Sequence, residues 1–345
     1  MIRANSRVMF VTNSLTGGGA ERATNILVNS LTDLTIETCL VVVNESAPDL
    51  IEPRCEVFQL KRKWQGSFIS VLRAAISFQI HIWKWKPKVV VLNCDIPELL
   101  GAITFGSHRL IVVEHASQPW PQRQTLGRIV RAILNFRKAD WVSVSKHLKV
   151  WALDKHPDIS ISNPIDKYSV GLNKNILHNF TSIQRLIFVG RLSPEKNPGL
   201  LIEISERTAL PILFIGDGAL RESLELAIAK KGIECEFKGY VKNPWEFLRD
   251  GDLLIIPSNN EGDGLVLVEA VLNRVPLIAI NIPDLLRFNL HSDNYFNDIQ
   301  NLTSQILKFR DELSRFVVNQ DVARRILEPR EPVLIAKQWS RYLLL

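Results

Sequence analysis

The feature that most restricts how this chain folds is a recurrence of short, unbroken apolar runs, each leading through a turn into a stretch with helical spacing. In the first half these runs are Val8 to Thr12, Thr38 to Val43, Val89 to Leu92, Leu110 to Val113 and Trp141 to Val144, while Glu21 to Leu31 carries Ala23, Ile26, Leu27 and Leu31 on one helical face. A strand with one wet face alternates apolar and polar residues. A continuous apolar strand is buried on both faces, which calls for a parallel sheet with helices above and below. The series restarts after Asn163-Pro164-Ile165-Asp166 and the polar stretch Lys167 to Ser182. It continues as Arg185 to Val189, Pro211 to Ile215, Glu234 to Phe237, Leu253 to Ile256 and Pro276 to Ile280. Two series of βαβ units predict an α/β chain of two doubly wound, Rossmann-like domains, 1–165 and 166–325, with 326–345 a C-terminal helix returning toward the first. A length of 345 residues suits two cores better than one.

Several classes are excluded by what the sequence lacks. No stretch approaches the roughly eighteen apolar residues of a membrane-spanning helix. Met1 to Arg7 runs directly into an apolar strand without a signal-peptide pattern, so the expected location is the cytoplasm. Cys39, Cys55, Cys94 and Cys235 are scattered, which predicts neither a zinc site nor a disulfide framework. The net charge of +6 belongs to the first half. Between Val57 and Cys94 there is no Asp or Glu, while Lys61, Arg62, Lys63, Arg73, Lys84, Lys86 and Lys88 alternate with Trp64, Phe68, Phe78, Trp83 and Trp85. Such a stretch suits an anionic lipid surface or nucleic acid, and Trp83 and Trp85 are alternatively core residues with the lysines merely solvated. No recognised nucleic-acid module accompanies it, so nucleic acid is not an expected partner.

In doubly wound sheets ligands bind beyond the carboxyl ends of the strands, so the residues after each run carry the chemistry. Gly17-Gly18-Gly19-Ala20-Glu21-Arg22 joins the first strand to the first helix, where it either lets a ligand approach the helix N-terminus or makes a tight turn. It is not a dinucleotide fingerprint, and no Walker lysine follows. Arg191 and Lys196 follow a buried strand, where they are suited to a diphosphate or are solvated loop cations. Ile215-Gly216-Asp217-Gly218 follows another. Glu261-Gly262-Asp263-Gly264 precedes a helix from about Leu265 that carries Glu269, which places one carboxylate at the helix N-terminus and a second one to two turns along, with backbone N–H groups between. Glu114-His115 ends the strand Leu110 to Val113.

Taken in order, Gly-Gly-Ala-Glu-Arg, Asn-Pro-Ile-Asp, Gly-Arg-Leu-Ser-Pro-Glu-Lys-Asn and the pair Glu261 and Glu269 separated by seven residues resemble glycosyltransferase family 4 from Val8 to about Leu307. The resemblance implies a GT-B fold, two Rossmann-like domains facing across a cleft, with an acceptor-side first domain and a nucleotide-sugar-binding second one. It implies sugar transfer with retention of anomeric configuration. It also implies roles: Arg191 and Lys196 on the donor diphosphate, Glu261 and His115 at the reacting sugar, Glu269 on the ribose, and Gly18, Gly19, Gly262 and Gly264 lining the donor site. The expected partners are a nucleotide-sugar donor, a glycan or polyprenyl-diphosphate-linked acceptor and an anionic membrane surface. That makes the protein peripheral on the inner face of the plasma membrane, in synthesis of surface polysaccharide such as O-antigen or capsule. No cofactor is expected, since the nucleotide sugar is a substrate. With no Asp-x-Asp motif after a strand, the two cations are expected to serve where other transferases use a metal. Two departures stand out: Asp263 replaces an aromatic commonly found between the glycines, and Asn281-Ile282-Pro283-Asp284 lacks a glycine-rich loop. A GT-B nucleotide-sugar epimerase and a non-enzymatic nucleic-acid binder are the alternative readings.

Overall fold

The computed structural model describes residues 7–344 apart from 16–17, 45–51, 63–67, 118, 121–122, 166–180 and 242. Gly17, Lys63, Trp64 and most of the polar stretch after Ile165 lie outside the described residues. The chain divides into two compact units, one of Met1–Ile165 with Arg330–Leu345 and one of Asp166–Pro329.

The first unit runs β1 (Val8–Thr12), α1 (Gly19–Asp33), β2 (Thr38–Asn44), β3 (Glu56–Arg62), α2 (Phe68–Trp85), β4 (Val89–Asn93), α3 (Asp95–Ile103), β5 (Arg109–Glu114), α4 (Gln124–Phe136), β6 (Asp140–Ser143) and β7 (Ile159–Ser160). Its strands form one parallel sheet of order β3-β2-β1-β4-β5-β6-β7. Every residue of β1, β2 and β4 is buried, as their unbroken apolar runs require. Each such Val, Leu or Ile side chain contributes roughly 1.5–3 kcal/mol on burial. Phe78, Leu100, Trp120 and Leu134 from α2, α3, α4 and the loop before α4 pack on one face of the sheet. On the other face Leu27 and Leu31 of α1 meet Ile335 and Trp339 of the C-terminal helix Pro332–Leu343. That helix is held by Phe10 edge-on to Trp339 at 6.3 Å and by Arg109, which donates to the Tyr342 carbonyl at 2.9 Å and lies over its ring.

The second unit runs β8 (Arg185–Val189), α5 (Leu200–Thr208), β9 (Ile212–Ile215), α6 (Arg221–Lys231), β10 (Cys235–Phe237), β11 (Asp252–Ile256), α7 (Leu265–Leu272), β12 (Leu277–Ile280), α8 (Pro283–Leu286), β13 (Tyr295–Phe296), α9 (Ile299–Lys308) and α10 (Gln320–Leu327). Its parallel sheet has the order β10-β9-β8-β11-β12-β13. In each unit the strand order reverses beside the first strand, at β1/β4 and at β8/β11, which is the switch point where doubly wound sheets bind ligands. Three strands lie outside the runs read from the sequence. β3 is an edge strand that leaves Glu56, Gln59 and Lys61 exposed, and β7 and β13 are two residues each.

Candidate active site

In the second unit, two turns at the carboxyl edge are pressed together. A Cβ on Gly216, whose φ is +137°, would stand 1.9 Å from the Gly190 carbonyl oxygen, so glycine is required for the β8 and β9 turns to meet. Gly190 N–H donates to Ile215 and Leu192 N–H to Asp217, both at 2.9 Å, fixing the loop that carries Arg191 and Lys196. Pro194–Lys196 forms one 3₁₀ turn, closed by Asn197 in the left-handed region. Asn259 ties that turn to the loop after β11, its N–H donating to the Glu195 carbonyl at 2.9 Å and its side-chain amide to the Pro194 carbonyl at 3.1 Å.

This clamp brings Lys196 Nζ to 2.6 Å from Glu261 Oε1. Ser258 Oγ donates to the same oxygen at 2.8 Å, and the Glu261 N–H donates to Asp284 Oδ2 at 3.2 Å. Glu261 is buried and Lys196 half-buried. Gly264, at φ +60°, is the N-cap of α7, so the loop that carries Glu261 leads directly into first-turn N–H groups that have no partner within the helix. Along α7, Glu269 accepts from Trp245 Nε1 at 3.3 Å, and Trp245 is fully buried on a turn capped by Asn243. Arg191 is exposed on the loop that carries Lys196. Asp263 is only 5% exposed, and Arg287 NH2 donates to its Oδ1 at 3.0 Å while the guanidinium lies over the Phe288 ring at 4.8 Å. Neither Trp245 nor Arg287 stands out in the sequence, since each meets its carboxylate more than twenty residues away.

The first unit holds Gly18, Gly19 and His115. Gly18 is the N-cap of α1 and Gly19 its first residue. His115 follows β5, with Nε2 at 2.9 Å from Asn93 Oδ1. Asn93 donates its own Nδ2 to the Val11 carbonyl at 3.3 Å, which leaves Oδ1 as the acceptor and puts a hydrogen on His115 Nε2. Glu114 has a different task. With Glu98 it encloses the fully buried Arg131, to which Glu98 Oε1 lies at 2.6 Å, and it accepts the Trp151 N–H at 2.9 Å. Burial alone works against the charge of Arg131, and the two glutamates hold it protonated. The partners Asn93, Glu98 and Arg131 come from other strands and helices, so nothing local in the sequence announces them.

Residues 174–308 match the family model described as "Glycosyl transferases group 1". The chain is 29% identical over 144 residues to an uncharacterised glycosyltransferase of Methanocaldococcus jannaschii, covering 41% of this chain and 40% of that protein. It is 31% identical over 101 residues to the poly(ribitol-phosphate) alpha-N-acetylglucosaminyltransferase of Staphylococcus aureus, covering 27% of this chain and 20% of that one. It thus spans at most about two fifths of the length of these relatives. Among solved structures, Anabaena HepE in complex with UDP and glucose superimposes with a TM-score of 0.77 at 16% identity, over 98% of this chain and 99% of that one. Two doubly wound parallel units with this likeness define the GT-B fold. The likeness to the group 1 glycosyl transferases lies within the second unit, over residues 174–308.

Proposed function

We propose that this protein is a retaining glycosyltransferase that moves a hexosyl-type sugar from a nucleotide sugar to a glycan or lipid-linked glycan. The observation that carries the reading is the cluster of Lys196, Ser258 and Glu261 at the N-terminus of α7, with Glu269 further along the helix. Transfer builds negative charge on the departing diphosphate, and a fixed cation beside helix N–H groups stabilises that charge more in the transition state than before it. Arg191 and Lys196 hold the diphosphate, Glu261 and His115 contact the reacting sugar, and Glu269 takes the ribose hydroxyls. The turns at Gly18, Gly19, Gly262 and Gly264 offer backbone to the donor. Same-face attack breaks the bond from the anomeric carbon to the leaving phosphate as the acceptor hydroxyl oxygen bonds on the same side, its proton passing to the departing oxygen. HepE was solved with UDP and glucose, which supports a UDP-sugar as donor class. A panel of labelled nucleotide sugars screened by thermal shift tests the reading: one donor should stabilise the protein, and none doing so would sink it. Incubation with donor alone separates transfer from epimerisation.

The setting we favour is surface-polysaccharide synthesis at the inner face of a plasma membrane. No helix among the described residues is long and apolar enough to cross a membrane, so a lipid-linked acceptor has to be met at the surface. The face of α2 away from the core exposes Ile69, Leu72, Ile76 and Trp83, and that of α4 exposes Ile129 and Phe136. Neither helix contains an acid, while Arg73, Lys84 and Lys86 are exposed. Each cation near an anionic surface contributes roughly 1 kcal/mol, and Trp is favoured at headgroup level. Trp85, by contrast, packs on the core and Phe78 is buried within it. Salt-sensitive binding to anionic but not neutral vesicles, weakened by charge reversal at Arg73, Lys84 and Lys86, is the expected result. Binding indifferent to lipid charge would contradict it.

A further inference from the structure

The edge strand β3 ends in an irregularity with a consequence for charge. Its register with β2 pairs Val42 with Gln59 but then Asn44 with Arg62, so two steps along β2 answer three along β3. Lys61, at φ +50°, takes up the extra residue in the left-handed region. Such bulges re-aim a side chain. Lys61 stays exposed, while Arg62, the next residue, is only 5% exposed.

Arg62 is poorly compensated for a buried cation. Its NH1 donates to Asn44 Oδ1 at 2.8 Å, a neutral acceptor, and it makes no ion pair with any described carboxylate. Its Nε is buried and has no hydrogen-bond partner among the described residues. Burial, then the charge of Arg123, pulls the guanidinium below its usual range, with Asp95 pulling the other way. Asp95 already accepts from Asn13 Nδ2 at 2.9 Å, so two cations face one engaged carboxylate. A buried ion is tolerable only when something answers its charge and its donors.

The surroundings identify what answers it. Asn13, just past β1, and Asn44 and Arg62, the last residues of β2 and β3, stand in a row at the carboxyl ends of these strands, with Asn44 N–H donating to the Asn13 carbonyl at 2.8 Å. The outer strands of that row are roughly 10 Å apart, about the span of a sugar phosphate. At the Asn13 end, Oδ1 is buried with no hydrogen-bond partner among the described residues and suits a hydroxyl donor. At the Arg62 end, the Nε–H of a planar guanidinium suits a phosphate oxygen. We infer that the first unit carries an anion subsite centred on Arg62, which takes a phosphate ester borne by the sugar acceptor. Only the word acceptor rests on the proposed glycosyltransferase reading; the anion subsite stands on the first unit alone.

The test observes the Arg62 Nε–H by nitrogen-15 NMR of the full chain labelled at arginine, the cross-peak being assigned by its loss in Arg62→Gln. Saturating UDP is present throughout to occupy the phosphate-binding loop of the second unit. Titration with inorganic phosphate should move the peak saturably, sodium chloride at matched ionic strength should not, and acetate should act at least ten-fold more weakly. Arg123→Gln should weaken the phosphate response five-fold or more. Arg62→Lys, which keeps a charge but removes the fork, should lose most of the phosphate-specific thermal stabilisation while remaining folded. A peak that follows ionic strength alone, responds equally to acetate, or moves only when UDP is left out would overturn the inference. Failure of UDP to bind would instead count against the donor reading, while the Arg62 titration would still decide this one.

Discussion

Lys196 and Glu261, the residues read as the diphosphate cation and the sugar carboxylate, are bonded to each other at 2.6 Å. They come from the turn after β8 and the loop after β11, and Asn259 locks those loops together. On the proposed reading, a diphosphate at Lys196 would compete for the charge paired with Glu261, leaving Ser258 as the remaining donor to Glu261 Oε1. The pairing makes the two residues testable as a unit.

Lys196→Ala should weaken nucleoside-diphosphate binding ten-fold or more, since a charge-assisted contact is worth roughly 1.5–3 kcal/mol. It also strips the counter-ion from a buried carboxylate, so the unliganded protein should lose about 1–2 kcal/mol of stability. Adding Glu261→Gln should restore much of that stability without restoring affinity. Calorimetric titration and urea unfolding of the wild type and both variants check both halves; unchanged affinity in Lys196→Ala would remove Lys196 from the donor site.

The two glutamates should fail differently. Glu261→Gln should cut turnover while nucleoside diphosphate still binds, whereas Glu269→Gln should mainly weaken nucleotide affinity. Trp245→Phe removes the indole N–H that orients Glu269 and should reproduce a milder form of the second signature, about 1 kcal/mol in nucleotide affinity. Matching kinetic signatures for the two glutamates would contradict separate roles.

Asp263 and Arg287 form a nearly buried pair in the position where an aromatic side chain is common. Removing one partner leaves the other charge buried, at a cost of about 3 kcal/mol, while replacing both with apolar residues should be close to neutral. A double-mutant cycle with Asp263→Leu and Arg287→Met should therefore show strong coupling. Additive losses would mean the two charges are independently solvated.

His108 supplies a pH signature separate from the site. Burial, followed by the charge of Arg137, holds its imidazole down at about 4 against an ordinary 6.5. A depressed histidine contributes stability that is present above the unfolded value and is lost as pH falls from about 6.5 toward 4. Unfolding free energy should decline across that window, and His108→Gln should flatten the decline. An identical slope in wild type and variant would contradict the assignment.

Local features of the site were legible in the sequence and long-range ones were not. Glu261 and Glu269 share one helix and its entry loop, so their spacing alone places them. The buried strands announced themselves as apolar runs because both faces of each sheet are covered by helices. By composition Arg62 belongs with its neighbours to a cationic stretch suited to an anionic surface, but the bulge at Lys61 turns it inward, and no pattern of residue types reports a one-residue register shift. Edge strand β3 went unrecognised because its exposed residues break the apolar run. The partners that set the site's charge balance, Arg287, Trp245 and Asn93, meet their targets only after the sheets have formed.

The most direct measurement is the configuration of the sugar first released when the protein turns over its stabilising nucleotide sugar, followed by proton NMR before the free sugar can mutarotate. The predicted result is the same anomer as in the donor, formed by wild type and strongly reduced in Glu261→Gln, which still binds nucleoside diphosphate. Release of the opposite anomer, or turnover undiminished in Glu261→Gln, would contradict a retaining transferase built on this site.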